Sequence, residues 1–154
     1  RPLFEEVADG EEVIKVGNYT LPARAWLSRF NFKGADQQKQ VKHLSGGERN
    51  RLQLAKVLKL GGNVLLLDEP TNDLDVETLR ALEEAILEFP GSVMVISHDR
   101  WFLDRVATHI MDYRDEGNIN FFEGNYSDYE SWLKQEFGQD VVEPHRLKYK
   151  RMAK

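Results

Sequence analysis

Short apolar runs alternate with helical patterns through the middle of the chain. Residues 64–67 and 93–97 are strand-sized and almost wholly apolar, which is typical of strands buried on both faces. Between them, residues 76–89 have the composition of a helix that ends at Pro90-Gly91. This strand–helix–strand unit predicts an α/β domain with a mostly parallel sheet.

Further elements are predicted on both sides of this unit. Residues 21–32 suit a short helix with Trp26, Leu27 and Phe30 on one side, and a longer helix follows Ser45 and stops at Gly61-Gly62. The remaining predicted elements are a helix at 99–107, strands at 109–113 and 119–123, a hairpin turn at 115–118, and a last helix at 127–137. The pattern therefore adds a C-terminal β-hairpin and helix to the α/β unit.

Composition places the chain among intracellular globular domains. Its 154 residues are 41% hydrophobic and 31% charged, which fits one domain, and no apolar run is long enough to cross a bilayer. The absence of cysteine excludes disulfides and thiolate metal sites. The first residues contain neither a signal-peptide core nor an initiator methionine. We therefore expect a cytoplasmic piece of a longer protein, without a membrane partner.

Charge is distributed unevenly along the chain. The net charge is −5, but residues 143–154 carry five basic side chains and one acid. An acidic body thus ends in a basic tail. This tail suits contact with a nucleic-acid backbone, and it equally suits a solvated terminus, so composition leaves both interpretations open.

Three polar residues follow the two predicted strands directly. Asp68 and Glu69 come after the first strand and His98 after the second. Because ligands of open parallel sheets gather at the carboxyl ends of the strands, we expect these side chains to share one crevice. A carboxylate there can hold Mg²⁺, and a second can orient or deprotonate a water that attacks phosphate. An ordinary strand-terminating turn and a structural histidine are the simpler alternatives.

The sequence Leu44-Ser45-Gly46-Gly47-Glu48 opens the long predicted helix. A helix N-terminus presents free N–H groups and a positive dipole end, and glycines let a phosphate approach the backbone. Ser45 and Glu48 also have the spacing of a capping box, in which the two residues satisfy each other's backbone N–H groups. The anion-binding and capping interpretations are compatible with each other.

The order of these motifs resembles the ATP-binding-cassette family, a group of P-loop NTPases. The matching segments are LSGGE at 44–48, LLLDEP at 65–70, TNDLD at 71–75 and SHD at 97–99. The resemblance implies an ATPase that uses ATP and Mg²⁺, with Asp68 as the metal ligand and Glu69 as the catalytic base. It further implies that His98 is the switch histidine and Asp75 part of the D-loop. Ser45, Gly46, Gly47 and Glu48 would form the signature motif, which faces ATP held by a partner cassette.

One motif of the family is missing from the chain. No G-x-x-x-x-G-K-[ST] phosphate-binding loop occurs in the sequence. By resemblance, the strand before that loop would lie between the strand ending at Ser97 and the strand beginning at His109. We therefore expect a partial cassette that is inactive alone and that self-associates through exposed apolar strand edges.

The C-terminal third resembles the ABC-F branch of the family. The matching segments are residues 97–104 and the GNYS turn within residues 122–129. The resemblance is to the C-terminal part of the second of two cassettes in one chain. It implies a cytoplasmic, ribosome-bound regulator of translation with ribosomal RNA and tRNA as partners. The expected layout is a C-terminal part of an ATPase domain at 1–142, followed by the basic tail at 143–154. Within the domain, a helical signature-motif subdomain occupies about 1–62 and part of the catalytic core about 63–142.

Two other classes of protein remain open at this point. The ATP-binding subunit of a membrane transporter shares the motifs, and Trp26, Phe30 and Phe32 would then supply a surface for the membrane domain. A non-catalytic interaction module is the third class, because the phosphate-binding loop is missing. Copurification with ribosomes, with membranes or with neither separates the three.

Overall fold

A computed structural model describes residues 1–113 and 117–138 of the chain. The elements are, in order, α1 (Leu3–Ala8), β1 (Val13–Val16), β2 (Tyr19–Pro22), α2 (Ala23–Arg29), α3 (Gly46–Leu60), β3 (Val64–Asp68), α4 (Val76–Glu88), β4 (Ser92–Ile96), α5 (Arg100–Val106), β5 (His109–Tyr113), β6 (Ile119–Glu123) and α6 (Tyr126–Phe137). Short 3₁₀ turns occupy Gly34–Gln38 and Val41–His43. Contacts divide the chain into two compact units, with the boundary between Phe102 and Leu103.

The helical part of the first unit is built around Trp26. This side chain is completely buried, lies edge-on to Phe30 with ring centroids 4.9 Å apart, and donates its indole N–H to the carbonyl oxygen of Ala55 at 3.0 Å. Because Trp26 belongs to α2 and Ala55 to α3, this hydrogen bond joins the two helices. Leu3 and Val7, one turn apart on α1, are buried as well.

An N-terminal hairpin precedes α2. Strands β1 and β2 pair antiparallel, from Val13 opposite Pro22 to Val16 opposite Tyr19, and turn at Gly17-Asn18, where Gly17 has φ 60°. Glycine suits this left-handed position because it has no side chain to clash with the backbone. The hairpin and α1 were not predicted, whereas the helices predicted before Phe32 and after Ser45 are confirmed as α2 and α3.

The two predicted parallel strands form one small sheet. β3 and β4 pair in parallel, with Val64 opposite Ser92 and Asp68 opposite Ile96. The prediction that both strands are buried on both faces is wrong. Leu65 and Leu67 on β3 are buried but Leu66 is 68% exposed, and Met94 on β4 is 49% exposed. The face of the sheet that carries Leu66 and Met94 therefore stays largely exposed among the described residues. An alternation of buried and exposed positions cannot be recognised when all four side chains are apolar.

The α/β class is confirmed, but the parallel part is limited to this pair. The other two sheets among the described residues, β1–β2 and β5–β6, are antiparallel. None of the helices in the described part of the chain combines the length and the apolarity that a bilayer crossing requires.

The second unit contains the predicted C-terminal hairpin and helix. β5 and β6 pair antiparallel from His109 opposite Glu123 to Tyr113 opposite Ile119. Phe122 on β6 packs against Tyr129 and Trp132 on α6, each with ring centroids 5.6 Å apart. Both strands and the last helix are thus confirmed. The predicted turn at 115–118 lies partly outside the described residues, and the basic tail at 143–154 lies wholly outside them.

Candidate functional site

The parallel pairing of β3 and β4 brings the ends of both strands to one edge of the sheet. Asp68 is the last residue of β3 and lies opposite Ile96, the last residue of β4. The backbone N–H of Glu69 donates to the carbonyl oxygen of Ile96 at 2.7 Å, which extends the ladder by one bond. His98 follows two residues after Ile96. The sheet therefore places the predicted acids and the predicted histidine at the same edge.

Glu69 and His98 contact each other directly at this edge. Nδ1 of His98 and Oε1 of Glu69 form a hydrogen bond. The His98 side chain is 91% exposed and that of Glu69 is 28% exposed, so the pair has one face open to solvent. Glu69 also has φ 45°, a left-handed conformation that side chains seldom adopt. A carboxylate held by an imidazole in this way can accept a proton from water and be oriented while it does so.

Asp68 differs from Glu69 in having no hydrogen-bond or ion-pair partner among the described residues. Its side chain is exposed at the end of β3, so both carboxylate oxygens are available. Oxygen ligands of this kind are what Mg²⁺ requires, and an unpaired carboxylate fits that role. A cavity of about 160 Å³ lies beside the acids, between α3 and β3, with Asn50, Gln53 and Leu66 in its wall. This volume is below that of a typical ligand pocket.

The residues predicted to form the signature motif lie at the N-terminus of α3. The Ser45 hydroxyl oxygen accepts the N–H of Glu48 at 3.2 Å, and Oε2 of Glu48 accepts the N–H of Ser45 at 2.8 Å. The predicted capping box is therefore present. The Ser45 N–H, together with the ammonium group of Lys39 at 2.9 Å, lowers the pKa of Glu48 to about 2. Gly46 and Gly47 are exposed on the first turn.

Asp75 is the N-cap residue of α4, six positions after Glu69. Its carboxylate accepts hydrogen bonds from Thr78, Asn31 and Arg51. Burial alone would raise the pKa of Asp75, but these hydrogen bonds outweigh it and lower the pKa to about 2.

The structure thus brings together some predicted site residues and separates others. Glu69 and His98 are in contact, and Asp68 is adjacent in sequence. Within the described residues, no hydrogen bond or ion pair joins Ser45 or Glu48 to these three. Asn31 and Arg51 are the polar residues that sequence reasoning missed. The resemblance singled out Asp75, but nothing in the sequence identified its partners 44 and 24 positions away.

Comparison with known proteins shows which proteins this chain resembles. The family model described as "ABC transporter" matches residues 4–72. The whole chain is 67% identical to the energy-dependent translational throttle protein EttA of Haemophilus influenzae and 64% identical to EttA of Escherichia coli K12. The chain is thus similar to ATP-binding-cassette proteins, and over its whole length to proteins named translational throttle proteins. It spans 28% of the length of these two relatives.

More distant ABC proteins agree with this assignment. EttA of Mycobacterium tuberculosis is 52% identical over 158 aligned residues. The crystal structure of a complex of archaeal ribosomal stalk protein aP1 and archaeal ribosome recycling factor aABCE1 superposes with a TM-score of 0.53 and 26% identity, over 71% of this chain and 23% of that one. A bacterial Atm1-family ABC exporter with ATP bound gives a TM-score of 0.59 at 19% identity, over 88% of this chain and 24% of that chain. The exporter supports the fold alone.

Proposed function

We propose that the protein containing this chain is an ABC-F ATPase that acts on the ribosome to regulate translation. The observation that carries the ATPase part is the Glu69–His98 contact at the carboxyl edge of the parallel strands, with Asp68 directly before it. The translational part is supported by the similarity of the whole chain to proteins named translational throttle proteins.

In this proposal each residue at the sheet edge has one task. Asp68 holds Mg²⁺, which supplies positive charge against the phosphates when it is bound. Glu69 accepts the proton of the attacking water, because its carboxylate is partly open to solvent. His98 holds the Glu69 carboxylate and offers its exposed imidazole to the terminal phosphate.

The N-terminus of α3 serves a second nucleotide site. Ser45, Gly46, Gly47 and Glu48 contact ATP that is held by a partner cassette of the same protein. Exposed N–H groups at a helix start favour phosphate, and the two glycines leave the approach open. Asp75 belongs to the D-loop between the two sites. The 154-residue chain contains no phosphate-binding loop, so we propose that it hydrolyses little ATP by itself.

Ribosomal RNA and tRNA are the proposed macromolecular partners, and the cytoplasm is the proposed location. The relatives are named translational throttle proteins, and one structural neighbour is a complex that contains the archaeal ribosome recycling factor aABCE1. The five basic side chains at 143–154 favour contact with a phosphate backbone.

ATP hydrolysis by the full-length protein tests the catalytic assignment. Glu69→Gln keeps the size of the side chain but cannot accept a proton, so we expect turnover to fall at least about a hundredfold. Glu84→Gln, which removes an exposed carboxylate from α4, is the matched control and should keep the wild-type rate. Equal rates in wild type and Glu69→Gln would contradict the assignment of Glu69.

Cosedimentation tests the ribosomal partner. The Glu69→Gln protein with ATP should pellet with ribosomes, and the same protein with ADP should not, because blocked hydrolysis retains the ATP-bound state. Recovery with membranes, without ribosome pelleting, would instead favour the transporter ATP-binding subunit.

A further inference from the structure

The carboxylate of Asp75 is hydrogen-bonded on both oxygens by three different parts of the first unit. Oδ1 accepts the backbone N–H of Thr78 at 2.7 Å, within α4. Oδ2 accepts Nδ2 of Asn31 at 2.9 Å, from the turn after α2, and Nη1 of Arg51 at 3.0 Å, from α3. We refer to these four residues as the Asp75 clamp. These three hydrogen bonds use most of the acceptor capacity of the Asp75 carboxylate.

The two long-range donors of the clamp are themselves held in place. The guanidinium of Arg51 lies 4.9 Å from the ring centroid of Phe32, and its side chain is 18% exposed. Asn31 sits between Phe30 and Phe32, which are both completely buried, and has φ 61°. Side chains that are fixed by packing lose little further freedom when they bond to Asp75, so the clamp is a rigid connection.

The segment from Glu69 to Asp75 is strained and fastened at both ends. Glu69 has φ 45°, a left-handed conformation that disfavours a side chain such as glutamate, and Asp73 has φ 57°, in a region that aspartate tolerates more readily. At its start, the N–H of Glu69 bonds to the carbonyl oxygen of Ile96 at 2.7 Å. At its end, Asp75 is held by the clamp. Such strain persists only while the surrounding contacts impose it.

We propose that Asn31 and Arg51 are positioning residues that hold Asp75, and through it the segment 69–75, in the conformation in which Glu69 faces His98. The proposal rests on the catalytic role proposed for Glu69. It assigns Asp75 an action within its own cassette, because its carboxylate is already bonded there. It also connects the helix that carries Gly46 and Gly47 to the segment that carries Glu69, since Arg51 lies on α3.

Hydrogen exchange of the full-length protein tests the clamp without reference to catalysis. Asn31→Ala removes one donor, and we expect backbone N–H groups in 70–74 to exchange at least about tenfold faster, because the strained segment can then relax. Lys33→Ala is the matched control. It breaks the Lys33–Glu77 ion pair, with nitrogen and oxygen 2.9 Å apart, which joins the same turn to the first turn of α4 but does not touch Asp75. Its exchange in 70–74 should equal that of wild type.

Steady-state kinetics test the consequence for turnover. Asn31→Ala and Arg51→Met should lower kcat about tenfold while KM for ATP changes by less than about twofold, because they misplace Glu69 without removing a nucleotide contact. Asn31→Asp has the same size but sets a second carboxylate against Asp75, so it should be more harmful than Asn31→Ala. Lys33→Ala should keep the wild-type kcat and KM.

Unchanged exchange in 70–74 for Asn31→Ala, or the same acceleration in Asn31→Ala and Lys33→Ala, would overturn the clamp. The proposal would also be overturned if Asn31→Ala showed faster exchange but an unchanged kcat, provided that hydrolysis by the wild type depends on Glu69. If hydrolysis by the wild type does not depend on Glu69, the proposed function fails. In that case the exchange comparison still decides whether Asn31 restrains the segment.

Discussion

Gly46 and Gly47 begin α3 without any conformational need for glycine. Neither has a positive φ, and a Cβ built on either would meet no atom within 4 Å. Alanine would therefore fit this chain and would favour the helix. The benefit of two glycines must come from a group that approaches the helix start from outside, which agrees with the proposed signature motif.

We therefore expect Gly47→Ala to separate stability from activity. The free energy of unfolding should rise by up to about 1 kcal/mol, while ATP hydrolysis by the full-length protein falls at least about tenfold. Chemical denaturation and turnover measure the two effects. Gly91→Ala is a contrasting control, because its Cβ would lie 2.2 Å from the carbonyl oxygen of Asn63 and should destabilise the fold. Full activity of Gly47→Ala would contradict the signature-motif assignment.

The depressed pKa of Glu48 predicts a pH-dependent contribution to stability. Its pKa falls from 4.5 to about 2 in the folded chain, so the stabilisation is complete above pH 4.5 and is lost as the pH falls towards 2. Glu48→Gln keeps a capping-box residue without a titratable group. The difference in unfolding free energy between wild type and Glu48→Gln should be constant above about pH 5 and shrink below it.

Urea denaturation at a series of pH values measures this difference. Lys39→Met should narrow the pH range over which the Glu48 contribution is lost, because the Lys39 ammonium is the second cause of the lowered pKa of Glu48. A difference between wild type and Glu48→Gln that stays constant down to pH 2 would contradict the role of Glu48.

At the scale of elements, α6 depends on its N-terminal cap. The Asn125 side-chain oxygen accepts the N–H of Asp128 at 2.9 Å, and the Asp128 carboxylate accepts the N–H of Asn125 at 3.3 Å. Asn125→Ala should lower the free energy of unfolding by about 1 kcal/mol, as measured by thermal or chemical denaturation. Ser131→Ala, at an exposed position on the same helix, should change it by less than about 0.5 kcal/mol. Equal effects of both changes would exclude capping as the cause.

Most elements were predictable, including the five-residue strands, and the exceptions are α1 and the β1–β2 hairpin. The fifteen residues of α3 carry a cap, a helical spacing and a terminal glycine, so its bounds followed from the sequence. α1 has six residues and no side-chain cap, and its burial comes from packing on α2 and α3. The hairpin β1–β2 did have a signal, since Gly17-Asn18 separates two four-residue runs.

The candidate site shows the same division between local and distant information. Asp68, Glu69 and His98 were identifiable because each follows an apolar strand, and parallel pairing then brings strand ends together. The Asp75 clamp could not be identified from the sequence, because the packing of α2, α3 and α4 brings its residues together from distant positions in the chain. The capping box at Ser45 and Glu48 lies within four residues, so its spacing sufficed.

For the molecule as a whole, the outer face of the β3–β4 sheet is the main exposed apolar surface of the first unit. Its members are Val64, Leu66, Met94 and Ile96, which are between 49% and 68% exposed. A contiguous apolar face of this kind favours association with another surface. The sequence did not reveal it, because an apolar strand has the same composition whether one face or both are covered.

We therefore expect the 154-residue chain to self-associate through this face. Leu66→Lys combined with Met94→Lys should shift the chain towards the monomer in light scattering, because a charge is costly to bury at an interface. Leu87→Lys, which adds a lysine at an equally exposed position on α4, should leave the association unchanged. A chain that is monomeric at all concentrations without these changes would refute the expectation.

Two tryptophans in the first unit have opposite environments, and this gives the molecule its own optical reporter. Trp26 is sealed in the helical core, whereas Trp101 is 77% exposed and lies three residues after His98. Within this unit, a dissolved quencher such as acrylamide reaches Trp101 before Trp26, so the fluorescence that this unit loses first comes from the neighbourhood of His98. The emission of Trp26 is quenched only when the contact between α2 and α3 opens. Nucleotide binding and loosening of the core can thus be followed in one cuvette without attaching a dye.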